Sequence, residues 1–151
     1  MNPDRMNPAT EKALLYRRVP IPDEFVHIDE EGRRVGGDIR IGDLDGDGRI
    51  EFVLYKGLGG IKPSFVGAFD LDGRPLWSVG DKDMRVKDAD GDGDLLTASP
   101  DRPGPLAIGD LDGDGQMEVL CFLVDPDLKR TSKWDLQGIR LVLLDGKTGD
   151  I

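Results

Sequence analysis

The chain has 151 residues, enough for one modest hydrophobic core, and its 30 acidic and 20 basic side chains give a formal net charge of −10. Twelve of the acids lie in three short stretches, so 18 acids face 20 bases elsewhere and no basic stripe is left for a nucleic acid. The 21 glycines and 10 prolines favour short turns over helices. The single cysteine excludes an internal disulfide.

The N-terminal residues 1–35 are predicted to form an extension ahead of the main fold. Its apolar run is too short for a membrane span or a signal-peptide core, so neither is expected in this sequence. Residues 13–19 could supply one edge strand. Beyond the extension we predict a first unit at 36–80, an acidic insertion at 81–104 and a second, incomplete unit at 105–151.

The first unit contains a nine-residue acidic loop between two predicted strands, Asp38–Gly42 and Ile50–Lys56. Carboxylates occupy loop positions 1, 3, 5 and 9, and glycines at positions 4 and 6 allow the tight turn that brings them to one centre. Hard oxygen donors in a flexible loop suit calcium, and the main-chain carbonyl at position 7 is a natural further ligand. The predicted calcium ligands are Asp43, Asp45, Asp47, Arg49 and Glu51.

An EF-hand loop also begins with alternating aspartates and glycines, but it needs a bidentate carboxylate at position 12 and a helix on either side. Position 12 is Leu54 here and Cys121 in the second loop, and neither side chain suits calcium. Both loops are followed by apolar runs of strand length. We therefore expect each loop to connect two strands.

Two further strands complete the first unit. The third is predicted at Phe65–Asp70 and ends in a glycine turn, Leu71–Gly73. The fourth, Pro75–Val79, contains Trp77, which we expect to pack in the core rather than to stack on a sugar. Four antiparallel strands are the size and pattern of a β-propeller blade.

The insertion carries a third acidic stretch in which the aspartates and glycines recur but position 9 is Leu96. Two interpretations stay open, a weaker third calcium site and a solvated turn. The candidate ligands are Asp88, Asp90, Asp92 and Asp94.

The second unit repeats the loop 67 residues later. Its predicted strands are Leu106–Gly109, Met117–Val124 and Gly138–Leu144, and Cys121 within the second of them reads as a small buried hydrophobe. The predicted calcium ligands are Asp110, Asp112, Asp114, Gln116 and Glu118. The sequence stops where the first unit has its tryptophan strand, so we expect further blades from a longer chain or self-association.

The segment from Gly42 to Val53 resembles the FG-GAP or VCBS repeat of calcium-binding β-propellers. The order of the first loop, the Leu-Asp-Gly turn with Trp77, the second loop and the Leu-Leu-Asp-Gly-Lys-Thr-Gly turn is similar to bacterial rhamnogalacturonan lyases that contain an eight-bladed propeller. The resemblance implies an all-β fold, a partial propeller of about two four-stranded blades, and an extracellular or periplasmic protein. No catalytic residue is carried over, because residues 80–109 lack the histidine- and tyrosine-containing stretch of those lyases.

Two functions follow as hypotheses. The first is a calcium-stabilised repeat module that acts as a scaffold or binds a carbohydrate or protein. The second is a fragment of a polysaccharide lyase acting on rhamnogalacturonan-like uronic acid polymers. The groups to test for lyase chemistry are Tyr55, Lys56 and Arg85.

Overall fold

A computed structural model describes residues 18–28, 31–35, 39–57, 63–87, 95–97, 99–100, 106–124 and 138–151. These residues form strands and turns with no α-helix among them, so the all-β prediction is confirmed. One 3-10 turn spans Asp23–Phe25. The strands are β1 (His27–Ile28), β2 (Arg34–Val35), β3 (Ile39–Gly42), β4 (Glu51–Gly57), β5 (Pro63–Phe69), β6 (Pro75–Gly80), β7 (Arg85–Lys87), β8 (Leu95–Thr97), β9 (Ser99–Pro100), β10 (Ala107–Gly109), β11 (Glu118–Val124) and β12 (Ile139–Asp145).

Two antiparallel sheets make up the body of the fold. Sheet 1 has the strand order β3-β4-β5-β6, and sheet 2 has the order β10-β11-β12. Each predicted strand of the two units is present, with ends that differ from the prediction by at most two residues. The short strand β9 also pairs with β4, where Lys56 lies opposite Pro100, and this pairing was not predicted.

The two sheets pack face to face because their central strands are apolar, and alternate residues of β4 and β11 face the contact. Val53 and Tyr55 of β4 project from sheet 1 toward sheet 2, where Val119 and Cys121 of β11 meet them. The cluster between the sheets, called the inner core, consists of Leu44, Val53, Tyr55, Val66, Ala68, Trp77, Leu106, Val119, Cys121, Leu123 and Leu144. The prediction that Cys121 is buried is confirmed, since only 4% of it is exposed.

Trp77 joins the two sheets directly, as its expected core position requires. Its indole Nε1 donates a hydrogen bond of 2.7 Å to the main-chain oxygen of Gly146. Gly149, with φ +77°, lies so close that a Cβ there would come within 2.8 Å of the indole ring. The Leu-Asp-Gly-Lys-Thr-Gly turn of sheet 2 therefore packs against Trp77 of sheet 1 and accepts its hydrogen bond.

A second cluster, called the outer core, covers the face of sheet 1 that points away from sheet 2. Phe25 is completely buried there against Phe65 and Phe69, with ring centroids 5.6 and 5.4 Å away. Leu54 completes the buried cluster, and Val19, Ile21 and Phe52 pack against it. Sequence reasoning missed this cluster, because Phe25 lies in a short irregular segment without periodicity.

Only two residues of the predicted N-terminal edge strand are described, so this strand stays a prediction. Arg18 and Val19 belong to no strand, while residues 13–17 lie outside the described residues. Pro20 and Pro22 have no N–H group to donate to a sheet, and the segment instead lays its apolar side chains on the outer core.

The insertion contributes a small ribbon in which β7 pairs with β8. The third acidic stretch lies between these two strands in the sequence, and Asp88–Asp94 are outside the described residues. The predicted unit boundaries stay predictions. No helix among the described residues is long and apolar enough to cross a membrane.

Candidate metal centres

Both acidic loops connect two neighbouring antiparallel strands. Loop 1, Asp43–Glu51, runs from β3 into β4, and loop 2, Asp110–Glu118, runs from β10 into β11. Each loop places its two glycines at positive φ, +76° and +85° for Gly46 and Gly48. Side-chain-bearing residues are strained in this region, so the glycines fix the tight path that gathers the carboxylates. The prediction that the loops join strands rather than helices is confirmed.

The aspartates of loop 1 hold their own backbone in place. Asp43 Oδ2 accepts a hydrogen bond of 2.9 Å from Gly48 N, Asp45 Oδ1 accepts one of 3.1 Å from Asp47 N, and Asp47 Oδ1 accepts one of 2.7 Å from Arg49 N. Loop 2 repeats these three bonds at Asp110, Asp112 and Asp114, at 3.2, 3.1 and 2.8 Å. The two loops therefore share these three internal hydrogen bonds.

The glutamate at position 9 is buried and binds the main chain at position 2 of its own loop. Glu51 and Glu118 are only 5% and 7% exposed. Glu51 Oε2 accepts a hydrogen bond of 2.8 Å from Leu44 N, and Glu118 Oε2 accepts one of 2.7 Å from Leu111 N. This clasp between the second and ninth positions fixes one oxygen of each glutamate and was not anticipated from the sequence.

Three carboxylates converge in each loop. Asp43, Asp45 and Glu51 each offer an oxygen, and these atoms all lie within 4.8 Å of one another; Asp110, Asp112 and Glu118 do the same. Two oxygens that bind one calcium ion at 2.3–2.6 Å can be at most about 5.2 Å apart. The spacing of both triads therefore fits a calcium ion.

The electrostatics of loop 1 also call for a cation. Asp43 Oδ1 is buried and has no hydrogen-bond partner among the described residues. Burial raises the pKa of Glu51, the hydrogen bond from Leu44 N lowers it, and the negative charges of Asp45, Asp47 and Asp43 raise it further. An oxygen without a donor beside several carboxylates is a poor arrangement for the free protein and a suitable one for a metal ligand.

The two centres lie next to each other at the contact between the sheets. A small cavity of about 120 Å³ is lined by residues of both loops, including Asp45 of loop 1 and Gln116 of loop 2. Gly146 N donates a hydrogen bond of 2.8 Å to Met117 O of loop 2, and a Cβ at Gly146 would lie 2.8 Å from Leu44 O of loop 1. The same turn therefore touches both loops.

The predicted ligands divide into two groups. The triads bring together the carboxylates of positions 1, 3 and 9. Asp47 and Asp114 at position 5 are exposed outside the triads and bind the main chain of Arg49 and Gln116. Their part in metal binding, like that of the position-7 carbonyls and of the third acidic stretch, stays a prediction.

Two of the three residues named for lyase chemistry, Tyr55 and Lys56, lie on opposite faces of β4. Tyr55 is buried in the inner core, whereas Lys56, one residue on, lies on the other face of β4 with Nζ 5.8 Å from the centroid of the Phe65 ring. Burial lowers the pKa of Lys56, and the nearby Asp83 partly offsets this effect. The side chain of Arg85 lies outside the described atoms.

Comparison with known proteins supports the fold but names no family. No protein-family model matches the chain, and no curated protein matches it. Among solved structures, rhamnogalacturonan lyase of Bacillus licheniformis matches 89% of this chain with 20% identity and a TM-score of 0.50. A second structure, rhamnogalacturonan lyase YesW, matches 89% with 21% identity and a TM-score of 0.46.

This chain spans about a quarter of the length of both lyases, 25% in each case. At this identity the match to the Bacillus licheniformis structure shows a shared fold and nothing about activity. Sheets 1 and 2 thus have the fold of part of a rhamnogalacturonan lyase.

Proposed function

We propose that the chain is a calcium-stabilised segment of a β-propeller in which one ion at each loop fastens a pair of strands. The observation that carries this proposal is the pair of matching carboxylate triads, one of which contains the partnerless buried oxygen Asp43 Oδ1. Calcium would be held by Asp43, Asp45 and Glu51 in loop 1 and by Asp110, Asp112 and Glu118 in loop 2. Bound calcium would supply the positive charge that these carboxylates lack.

The protein's own contribution is to prearrange the oxygens. The glycine turns and the aspartate bonds to main-chain N–H groups set the path of each loop, and the position-9 glutamates anchor it to β4 and β11. Because the loops also touch the turn that seats Trp77, an ordered loop supports the packing of one sheet on the other. This is the role of a scaffold rather than of a reaction centre.

Thermal unfolding in millimolar calcium and in excess chelator tests the proposal. At a calcium concentration ten times its Kd, each site adds about 1.4 kcal/mol to the free energy of unfolding. We expect calcium to raise the melting temperature of the wild type, and Asp45→Asn with Asp112→Asn to abolish that rise. Asp83→Asn, which alters an exposed aspartate outside the loops, is the matched control. A melting temperature that is the same in calcium and in chelator would refute the proposal.

A second candidate is a fragment of a polysaccharide lyase, and the fold match to a rhamnogalacturonan lyase is the observation that favours it. Rhamnogalacturonan, the polymer in the name of that lyase, would be the substrate to assay, by the ultraviolet absorbance of the unsaturated product. Activity that survives removal of calcium from both loops would separate the lyase function from the scaffold function.

An extracellular or periplasmic location is part of the same proposal. Extracellular calcium-binding modules work with Kd values of about 10⁻⁴–10⁻³ M, which suit exposed loops such as these. A carbohydrate or protein ligand of the scaffold would be sought in that compartment.

A further inference from the structure

The two sheets are related by the internal repeat, so β3, β4 and β5 of sheet 1 have β10, β11 and β12 of sheet 2 as their counterparts. Residues of β4 correspond to those of β11 at the 67-residue offset, which makes Phe52 the counterpart of Val119. Phe52 pairs with Phe69, and Val119 pairs with Leu144, so β5 and β12 also correspond residue by residue. The two faces of each sheet can therefore be compared directly.

The face that sheet 1 turns toward sheet 2 is deeply buried. Its members Leu44, Val53, Tyr55, Val66 and Ala68 are at most 4% exposed. Their counterparts Leu111, Leu120, Phe122, Leu141 and Leu143 form the opposite side of sheet 2, which we call the open face. Leu111, Leu141 and Leu143 are 49%, 55% and 37% exposed there. The open face of sheet 2 thus corresponds, residue by residue, to the apolar face of sheet 1 that packs against sheet 2.

The surface that fits such a face is also known from this chain. Sheet 2 meets sheet 1 through Val119, Cys121 and Leu144. The counterparts of these residues in sheet 1 are Phe52, Leu54 and Phe69, which belong to the outer core. A second copy would therefore dock head to tail, with its outer-core face on the open face of the first.

In the single chain that outer-core face is covered by residues 19–26, which we call the cap. The ring of Phe25 rests on Gly67, where a Cβ would come 2.4 Å from Phe25 Cε1. The counterpart of Gly67 in sheet 2 is Val142, which packs against the inner core. Because Gly67 has no side chain, Phe25 of the cap fits at the position that Val142 occupies in sheet 2.

The cap leaves part of this face uncovered. Ile39 and Ile41 of β3 are 41% and 58% exposed, whereas their counterparts Leu106 and Ile108 pack against the inner core. A groove of about 720 Å³ beside the open face adds exposed apolar surface at Leu141, Leu143 and Ile151. Both halves of a head-to-tail contact therefore carry exposed apolar residues.

We propose that the open face of sheet 2 is a docking surface for the outer-core face of a second copy of this chain, and that the cap blocks this association by occupying that face. This inference rests on the repeat-array part of the proposed function and not on calcium. Because the contact is heterologous, releasing the cap produces rings or open chains of several copies rather than two-fold symmetric dimers.

Analytical ultracentrifugation in calcium over a concentration series tests this proposal on the full chain. Gly67→Val fills the space under Phe25 with the residue that sheet 2 uses, and Phe25→Ala removes the ring itself. We expect each variant to raise the weight-average mass about twofold or more as concentration rises, while the wild type stays near the mass of one chain. Adding Leu141→Lys should return both variants to single chains. Ile28→Lys should not, because Ile28 is similarly exposed but lies in β1, which belongs to neither sheet.

Variants that fold by circular dichroism but stay single chains, or whose association survives Leu141→Lys, would overturn the proposal. If neither variant folds, the milder Phe25→Leu decides. Association of this variant that Leu141→Lys removes supports the proposal, and a folded Phe25→Leu protein that stays a single chain contradicts it. Thermal unfolding tests the calcium proposal and ultracentrifugation tests docking. A failure of one proposal is therefore distinguishable from a failure of the other.

Discussion

At the scale of single residues, the contact between the sheets includes a few buried groups that can be tested one at a time. Trp77 is one, since its indole both fills the inner core and donates to Gly146 O. Cys121 is another, since it lies within the same core with 4% of its surface exposed. Each provides a direct probe of whether the two sheets are packed as described.

Trp77→Phe keeps an aromatic ring but removes the hydrogen bond to Gly146 O. A buried carbonyl left without its donor costs about 1–3 kcal/mol, so we expect the free energy of unfolding in urea to fall by that amount. Leu76→Ala, on the same strand at a residue 46% exposed, should change it by less than about 0.5 kcal/mol. Equal effects of the two substitutions would show that Trp77 does not join the sheets.

Burial raises the pKa of the Cys121 thiol to about 12. At pH 8 only about one thiol in ten thousand is then ionised, and the thiolate is the reactive form. We expect no reaction with Ellman's reagent in the folded, calcium-containing protein and rapid reaction after unfolding in urea. Fast labelling of the folded chain would place Cys121 outside the core.

At the scale of elements, the turn Asp145–Gly149 connects features that are far apart in sequence. It seats Trp77 of β6, binds Met117 of loop 2 and approaches Leu44 of loop 1, with Gly146 at the centre of all three contacts. A Cβ at Gly146 would lie 2.3 Å from Met117 O. The backbone there must therefore move if any side chain is present.

Gly146→Ala should lower the free energy of unfolding by about 1–3 kcal/mol, the usual cost of forcing an extra group into a packed site. Gly109→Ala is the matched control, because a Cβ there would meet only Leu111 Cδ2 at an ordinary 3.6 Å. Urea unfolding of both variants measures the difference. A Gly146→Ala protein as stable as the control would contradict the close contact.

The elements also show how much the sequence could predict. Strands β4 and β11 follow acidic loops with a recurring nine-residue pattern, so their position and type could be read from local residues. Phe25 could not be placed, because its partners Phe65 and Phe69 lie 40 or more residues away and nothing local marks the contact. The hydrogen bond from Leu44 N to Glu51 could not be predicted either, because it depends on how the loop folds back on itself.

At the scale of the whole molecule, the two ends of the array differ. The outer side of sheet 1 is covered by the cap, while the open face of sheet 2 exposes Leu141 and Leu143. Between them the two carboxylate triads and the turn at Gly146 lie beside the contact between the sheets. Under the two proposals, calcium at the triads would stabilise the packing of the sheets, and the exposed apolar faces would determine where a second copy binds.

Isothermal titration with calcium, comparing the wild type with Asp45→Asn, Asp112→Asn and the double variant, tests the central claim most directly. The account predicts that each single variant binds one calcium ion fewer than the wild type and the double variant two fewer, whatever the third acidic stretch contributes. Asp83→Asn, which alters an exposed carboxylate outside the loops, should bind as the wild type does. A double variant with the calcium stoichiometry and affinity of the wild type would contradict the account.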